Sequence, residues 1–444
     1  MVEANTVPSA RAREPVWHAF EAFEQAGHGT TPSWLQALHK GGIAHFAELG
    51  FPTTKHEEWR YTNISPIAKT EWHLPGPPAK LKEKEVHSFL FPNIPGKRLV
   101  FVDGHFSRDL SSKESSNPQA LRIQSMHDAV RSTFPLVTHG LARYARYDEN
   151  PFTALNTAFL HDGAVIVAPP GFVENDPVYI LYLSTGAQPN TVTHPRTLLI
   201  AQRDSQMRVI EHYVTMGENT CLTNAVTEMV IDETAQIEHC KIQEESLRTY
   251  HVANIHVQQA RSSHLLSHSI SMGAAITRNN INCVLDGERI ESTLNGLYLG
   301  RDSQLVDHHT AIFHNKPQCN SHEYYHGILD GASHGVFNGK IFVRPEAQKT
   351  DAKQTNRNLL LSDEASIDTK PQLEIFADDV KCTHGATIGQ LDPESIFYLR
   401  ARGISLETAR KMLLHAFASQ IVNRITIGPL RDELDRRLFD MFEK

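Results

Sequence analysis

The chain has 444 residues, 40% of them hydrophobic, which is enough to bury one or more substantial cores. Its formal net charge of −8 at pH 7 argues against non-specific nucleic-acid binding, which needs a basic surface. No apolar run approaches the length that spans a bilayer, and Met1 to Pro8 lack the apolar region of a secretory signal, so we expect neither feature.

Residues 1–160 are predicted to form a mainly helical domain. Apolar residues recur at helical intervals over 15–23 and 126–160, and Thr31 followed by Pro32 has the pattern of an N-cap and first helical residue. Between these stretches, Lys97–Asp103 has the composition of a strand. A linker is marked by Pro75, Pro77 and Pro78.

Residues 161–390 show a different pattern, in which short segments of alternating apolar and polar residues follow one another with little helical periodicity. Two examples are Ala235–Ile242 and Ser333–Ile341. The recurrence at unequal intervals favours a β-solenoid, whose rungs stack around one core. A β-sandwich is the alternative, because alternation alone does not separate the two folds. The long run of strands without a domain break favours the solenoid.

Residues 391–444 are predicted to form helices again. Asp392 is placed to cap a helix with Pro393 at its first position, Gly403 to end it, and Ser405 to cap the next. The second helix has a predicted apolar stripe of Ala409, Met412, Leu413, Ala416, Phe417 and Val422. A third helix, from about Pro429, carries Leu430, Leu434, Leu438 and Met441 on one side. Each stripe packs on its own domain or receives a partner.

The strongest chemical signal lies where the strand-rich region ends. A strand within Leu373–Thr387 presents Cys382 and His384 two residues apart, which places them on one face, roughly 6–7 Å apart. A thiol and an imidazole suit a soft or borderline metal, and Lys381 would favour the thiolate. Two ligands do not fill a tetrahedral site, so the rest of the shell would come from elsewhere, including another chain. Alternatively the pair is a buried cysteine beside a solvent-facing histidine.

Gly385 follows this pair, and it permits an unusual backbone angle or the close approach of another chain.

The segment His322–His326 matches the zinc-protease pattern His-Glu-x-x-His, which requires a helix. Here β-forming residues separate the histidines, and on a strand the two would lie about 13 Å apart. The pattern therefore does not predict a protease.

Histidine is abundant, with 26 residues, and ten of them lie between His251 and His334. We interpret these as neutral side chains of solenoid faces and turns. Cysteines 221, 240, 283 and 319 are interpreted as small buried hydrophobic residues. The odd, scattered set of five fits a reducing compartment.

No Walker-type loop, dinucleotide-binding glycine motif or Gly-x-Ser-x-Gly elbow occurs, so nucleotide chemistry would belong to a partner.

The chain resembles the SufB/SufD family of iron–sulfur cluster assembly scaffolds from about His56 to Phe417. The segments that carry the resemblance are Glu57–Thr62, Lys349–Ser362, Pro371–Ile375, Asp379–Thr387 and Phe397–Ile404. Where the B branch typically has Glu-His-Glu-Ala-Thr, this chain has Thr383-His-Gly-Ala-Thr387, which is similar to the D branch and argues against independent cluster assembly.

The resemblance implies a right-handed parallel β-helix core over 161–390, between helical domains of 1–160 and 391–444. It implies a non-catalytic, cytoplasmic scaffold subunit of bacterial type, with the plastid stroma as the alternative compartment. It also implies that SufB pairs with the core and that the ATPase SufC docks on the C-terminal helices.

Site residues follow from the same resemblance. His384, with Cys382 as a neighbouring candidate, would help to hold a nascent iron–sulfur cluster shared transiently with SufB, and the isolated chain would carry no tightly bound cofactor. The expected SufC contact comprises Phe397, Tyr398, Arg402 and Gly403. A purely structural adaptor, with Cys382 and His384 inert, and a homodimer of the isolated chain both stay open.

Overall fold

A computed structural model of the chain describes residues 14–27, 29–77, 79–113, 120–132 and 134–443. Residues 1–13, on which the secretory-signal expectation rests, lie outside these ranges. Pro78 of the predicted linker also lies outside them. The helices are α1 Glu14–Gly27, α2 Ser33–Leu49, α3 Ser65–Lys69, α4 Glu83–Val86, α5 Met126–Arg131, α6 Pro135–Gly140, α7 Pro151–Ala158, α8 Pro393–Ala401, α9 Leu406–Val422 and α10 Gly428–Glu443. Short 3₁₀ turns lie at Glu57–Trp59 and His87–Phe89.

The strands are β1 Lys97–Val102, β2 His105–Phe106, β3 Arg122–Ser125, β4 Gly163–Ala168, β5 Val178–Ser184, β6 Thr191–Thr193, β7 Arg196–Ala201, β8 Gln206–Thr215, β9 Cys221–Ile231, β10 Gln236–Glu244, β11 Thr249–Gln259, β12 His264–Ser271, β13 Ile276–Leu285, β14 Glu291–Gly300, β15 Leu305–His314, β16 Asn320–Leu329, β17 His334–Val343, β18 Asp351–Leu360, β19 Ser366–Ile375 and β20 Lys381–Gly389.

These strands form, within the described ranges, two ten-stranded sheets. The first sheet has the order β2-β1-β5-β8-β10-β12-β14-β16-β18-β20, and the second runs β19-β17-β15-β13-β11-β9-β7-β4-β3, with β6 beside β9. From β9 onward, consecutive strands alternate between the sheets, and each pairs in parallel with the strand two positions earlier. The core is therefore a β-solenoid of about eight turns, as the alternation favoured, and not a sandwich.

Turns at one corner link successive rungs. Thr234, Ser262, Arg289, Gln318 and Lys349 all have positive φ, between 56° and 62°. The backbone N–H of each donates to a carbonyl of the next rung, as in Lys349 to Asp379 at 2.7 Å. The corner thus repeats the hydrogen bonding of the strands, which keeps the rungs in register.

The N-terminal part is attached to the solenoid by strands and by buried charge. β1, predicted as a strand, pairs in parallel with β5 and extends the first sheet. On the second sheet, Arg196 and Glu228 form a fully buried ion pair with an N–O distance of 2.5 Å. Glu228 also accepts the backbone N–H groups of Ala142, Tyr144 and Ala145, which anchors the segment between α6 and α7.

The start of α2 differs from the prediction. Pro32 occupies the N-cap position of this helix, and the Thr31 hydroxyl donates to the carbonyl of Gly27 at 3.1 Å instead of capping α2. The Thr31 hydroxyl therefore stabilises the turn after α1 and does not cap α2 as predicted.

The C-terminal helices begin and end as predicted. The side chain of Asp392 accepts the N–H groups of Glu394 and Ser395, the Ser405 side chain accepts that of Thr408, and Gly403 has φ of 84°. α9 and α10 pack on the outer face of the first sheet. None of the described helices combines the length and the apolar character needed to cross a bilayer.

The apolar faces of these helices were predicted with unequal success. On α10, Leu430, Leu434 and Leu438 are fully buried, as expected. On α9, Met412 and Ala416 are exposed, contrary to the predicted stripe. Ala409, Phe417 and Val422 are buried as predicted, and Leu414, Ala418 and Ile421 are buried with them, because α9 packs between the sheet and α10.

Candidate functional site

Both sheets of the solenoid end at the same place, which we call the open end, formed by β19 and β20. β19 pairs with β17 and β20 with β18, and among the described residues no strand pairs with their other edges. Nearly all of β20 is exposed, including Ile388 on its inner side. An unpaired strand edge with exposed apolar side chains is a ready surface for pairing with another chain.

Cys382 and His384 lie at the start of β20. The sequence predicted a single strand through Leu373–Thr387, whereas the structure ends β19 at Ile375 and begins β20 at Lys381. Cys382 is in register with Ala352, and His384 with Gln354, both buried inside the solenoid. The two side chains therefore share the inner face of the last strand, with Cys382 partly buried and His384 exposed.

The environment of Cys382 does not favour a thiolate. Burial raises the pKa of its thiol, and the nearby Asp351 carboxylate raises it further. Lys381, expected to lower this pKa, is exposed and follows the opposite face of the strand, since neighbouring residues alternate. A metal at this site would have to displace the thiol proton.

Gly385 is not among the residues of positive φ, and nothing lies within 4 Å of where a Cβ would stand. The backbone angle is therefore ordinary, and the space above the strand is open.

A buried polar column lies behind His384. Glu323 on β16, Gln354 on β18 and His384 on β20 occupy the same register position in successive rungs. The Gln354 amide donates to Glu323 at 2.5 Å, inside the solenoid. Burial raises the pKa of Glu323 to about 7, so this carboxyl can take up or release a proton near neutral pH.

Sequence reasoning did not single out Glu323 or Gln354 for this role. The available signal was spacing: His384 follows Gln354, and Gln354 follows Glu323, by roughly one solenoid rung of 20–45 residues. Rungs of unequal length hide that signal unless the strands are first aligned.

α8 presents an exposed aromatic surface. Phe397 is 74% exposed and Tyr398 is 56% exposed, and no residue of α8 is buried. The Arg402 guanidinium lies 4.3 Å from the centre of the Tyr398 ring, and Gly403 ends the helix in open space. The predicted docking residues therefore lie on α8 or directly after it, in a different part of the chain from Cys382 and His384.

The His322–His326 segment is part of strand β16, as its composition indicated. Because neighbouring residues alternate, Glu323 points into the solenoid while His322 and His326 lie on the outer face. His326 stacks on Phe417 with ring centres 4.5 Å apart. This geometry contradicts a zinc-protease site, which needs both histidines and the glutamate on one helical face.

Five of the ten histidines from His251 to His334 are buried, and burial lowers the pKa of each of these five, so their rings are neutral, as interpreted. Burial lowers the pKa of His308 to about 3 and those of His314 and His326 to about 4. The cysteines at 221, 240, 283 and 319 are buried and free.

A cavity of about 980 Å³ lies in the N-terminal part, between α1, α2 and the first rungs. His39, His105, His161 and His194 line it, and burial lowers the pKa of each. No residue predicted from the sequence as functional belongs to its lining.

Residues 182–417 match the family model described as the SufBD core domain of SUF-system FeS cluster assembly, and residues 14–180 match the SufBD N-terminal region. The chain is 30% identical over 429 residues to the iron–sulfur cluster assembly protein SufD of Escherichia coli, covering 95% of both chains.

Two further relatives are similar over most of their length. An iron–sulfur cluster assembly SufBD family protein of Synechocystis is 31% identical over 420 residues, covering 91% of each chain. The chloroplastic protein ABCI7 of Arabidopsis thaliana is 27% identical over 409 residues, covering 90% of this chain and 84% of that protein.

The buried Glu323 carboxyl should make the stability of the folded chain depend on pH. The pKa of Glu323 is about 7 in the folded chain against 4.5 when unperturbed, so the folded state binds this proton more tightly. The stability contributed by the protonated form is complete below about pH 4.5 and is lost as the pH rises through 7. Relative to Glu323→Gln, the wild-type free energy of unfolding should fall by up to about 3 kcal/mol over that range.

Urea unfolding of both proteins at a series of pH values measures this difference. Glu364→Gln, at an exposed carboxyl, is the matched control for the change in charge. A difference between wild type and Glu323→Gln that does not vary with pH contradicts the assignment.

Proposed function

This chain belongs to the SufBD family of iron–sulfur cluster assembly proteins, and we propose that it is a scaffold subunit without catalytic activity of its own. In this proposal it pairs with SufB through the open end of the solenoid and docks the ATPase SufC on its C-terminal helices. A nascent cluster is assembled between the two solenoids. Homology to SufD supports the assembly role.

The observation that carries the proposal is the coincidence of two features at the open end. Both sheets end there with edges that no other described strand pairs with, and His384 lies on one of the two terminal strands. A homologous solenoid can pair with both edges at once, which would bury Ile388 and bring its own side chains to His384. A solenoid that stays unpaired would expose two long strands to aggregation.

The cluster is treated as cargo. His384 supplies an imidazole, and Cys382 a thiol whose proton must leave, so this chain offers at most two of the donors that a cluster needs. The remaining donors are proposed to come from SufB. Incomplete ligation in each subunit suits a cluster that is built and then passed on, and we expect the isolated chain to hold no cofactor tightly.

The C-terminal helices are proposed to receive SufC. Exposed aromatic residues beside an arginine are typical of the residues that dominate protein interfaces, and Phe397, Tyr398 and Arg402 form such a group on α8. α9 joins α8 to the first sheet. A movement of SufC during its ATP cycle would therefore act on the solenoid through α9.

A structural adaptor that only positions SufC is the second candidate. The raised pKa of Cys382 favours it, because a protonated thiol is a poor ligand. We propose the cytoplasm as the compartment, with the plastid stroma as the alternative, since one relative is chloroplastic.

The edge pairing is tested by Ile388→Asp. Ile388 is 51% exposed in the single chain, so the variant should fold, whereas in a paired solenoid the carboxylate would be buried without a partner. Affinity for SufB, measured with purified proteins, should fall at least tenfold. Val173→Asp, at a side chain 59% exposed near the opposite end, is the control. An equal loss of SufB affinity in both variants, or no loss in Ile388→Asp, contradicts the assignment. If the isolated chain forms a homodimer through the same edge, Ile388→Asp should weaken that self-association as well.

The role of His384 is tested by His384→Ala in a complex purified with SufB and SufC. Loss of a ligand at an exposed position should leave the complex assembled and lower its bound iron and sulfide at least tenfold, measured chemically and by the visible spectrum. His87→Ala, at an exposed histidine of the N-terminal part, is the control. An intact complex that keeps its cluster identifies the chain as an adaptor.

The docking surface is tested by Phe397→Ala. Removing an exposed aromatic side chain from an interface centre should weaken SufC binding about tenfold or more and leave SufB binding unchanged. Phe439→Ala, at an exposed aromatic residue of α10, is the matched control. Calorimetric titration measures both affinities, and unchanged SufC binding by the Phe397 variant places the contact elsewhere.

A further inference from the structure

A second group of potential metal ligands lies on the outer face of the first sheet, beneath the turn between α9 and α10. Glu238 and Cys240 are two residues apart on β10, and His268 on β12 is directly in register with Cys240. All three are buried. Their ligand atoms lie within 4.8 Å of one another, and among the described residues no other group of His, Cys, Asp and Glu meets that condition.

We propose that Glu238, Cys240 and His268 form a binding site for a divalent transition-metal ion, with one oxygen, one sulfur and one nitrogen ligand. This site is separate from the open end and does not depend on the proposed function.

The histidine is the observation that points to a ligand. Among the described residues His268 Nε2, which is buried, has no hydrogen-bond partner, and it lies 3.7 Å from Glu238 Oε1. Other buried polar atoms of the described residues also have no partner, but His268 belongs to the one group among them whose nitrogen, sulfur and oxygen ligand atoms lie within 4.8 Å of one another. Burial lowers the pKa of His268 to about 3, so the ring is in the neutral form that binds metals.

The neighbouring strand supports the ring from its other side. Asn295 on β14 is in register with His268, and its amide nitrogen lies 3.4 Å from His268 Nδ1. The Asn295 side-chain oxygen has no partner either. Turning this amide over would let that oxygen accept the Nδ1–H, which is how a metal-binding histidine is normally held.

The carboxylate can serve the metal and the fold together. Glu238 Oε1 accepts the backbone N–H of Thr426 at 2.8 Å, and a carboxylate oxygen has a second lone pair that can bind a metal. Oε2 is bound by the Thr426 hydroxyl and lies 3.3 Å from Arg208. A metal on Oε1 would therefore leave the contacts of Oε2 in place.

The net charge of the ion and its ligands decides whether a metal can be bound at a buried position. A divalent ion with the Glu238 carboxylate and the Cys240 thiolate is neutral, and the Arg208 guanidinium beside Glu238 Oε2 adds one positive charge that is partly exposed to solvent. Burial raises the pKa of the Cys240 thiol well above its usual value, so binding must release that proton to solvent. Three protein ligands leave a fourth position for water or another small ligand.

Cobalt(II) is the probe, because thiolate coordination gives it an intense near-ultraviolet band. The full-length chain is used with Cys382→Ser and His384→Ala, so that the open-end donors cannot contribute. We expect one cobalt per chain with that band, displaced by Zn²⁺.

Adding Cys240→Ser should abolish the band, and adding His268→Ala should weaken cobalt binding at least tenfold. Cys283→Ser, at an equally buried cysteine inside the solenoid, should leave it unchanged. Circular dichroism confirms that each protein is folded. Absence of stoichiometric cobalt binding by the protein that carries only Cys382→Ser and His384→Ala overturns the proposal. This outcome does not depend on whether a variant of the proposed site folds. A near-ultraviolet band that persists without Cys240 also overturns the proposal.

Discussion

In-register parallel pairing of the rungs is the constraint on which the rest of the structure depends. It fixes which side chains point inward and stacks equivalent positions of distant segments into columns. It also gives the solenoid two ends, because each rung stacks only on the rungs before and after it. At one end the first sheet finishes with β2 and the second with β3. At the other, no strand of the described residues pairs with the outer edges of β19 and β20, and His384 lies there because that column ends there.

The two sites discussed use opposite faces of the same sheet. The open-end site is on the inner face, where a column of Glu323 and Gln354 continues behind His384 into the solenoid. The group of Glu238, Cys240 and His268 is on the outer face, where the α9–α10 turn covers it. In our proposal the first is completed by another chain, whereas the second is covered by the turn between this chain's own C-terminal helices. The same sheet therefore carries both groups of side chains.

Local signals in the sequence predicted local structure well. Alternation identified the solenoid, and the Asp392 and Ser405 caps were correct because a cap involves only a few neighbouring residues. The face of α9 was predicted incorrectly at Met412, since a helix packed between two surfaces does not follow a single stripe. The Glu323 column and the Cys240–His268 pair were missed because each requires the register between rungs, which no local pattern carries.

The corner turns described above also determine how such a chain can change in size. A residue inserted within a strand would reverse every following side chain, exchanging core for solvent, so insertions must fall at corners or comprise whole rungs. Each whole rung lengthens the stack by about 4.8 Å, the spacing of paired strands. The separation between the N-terminal helices and His384 is therefore set in discrete steps. Homologous solenoids that assemble through such ends would therefore need the same number of rungs to keep the same distance between the N-terminal helices and the open end.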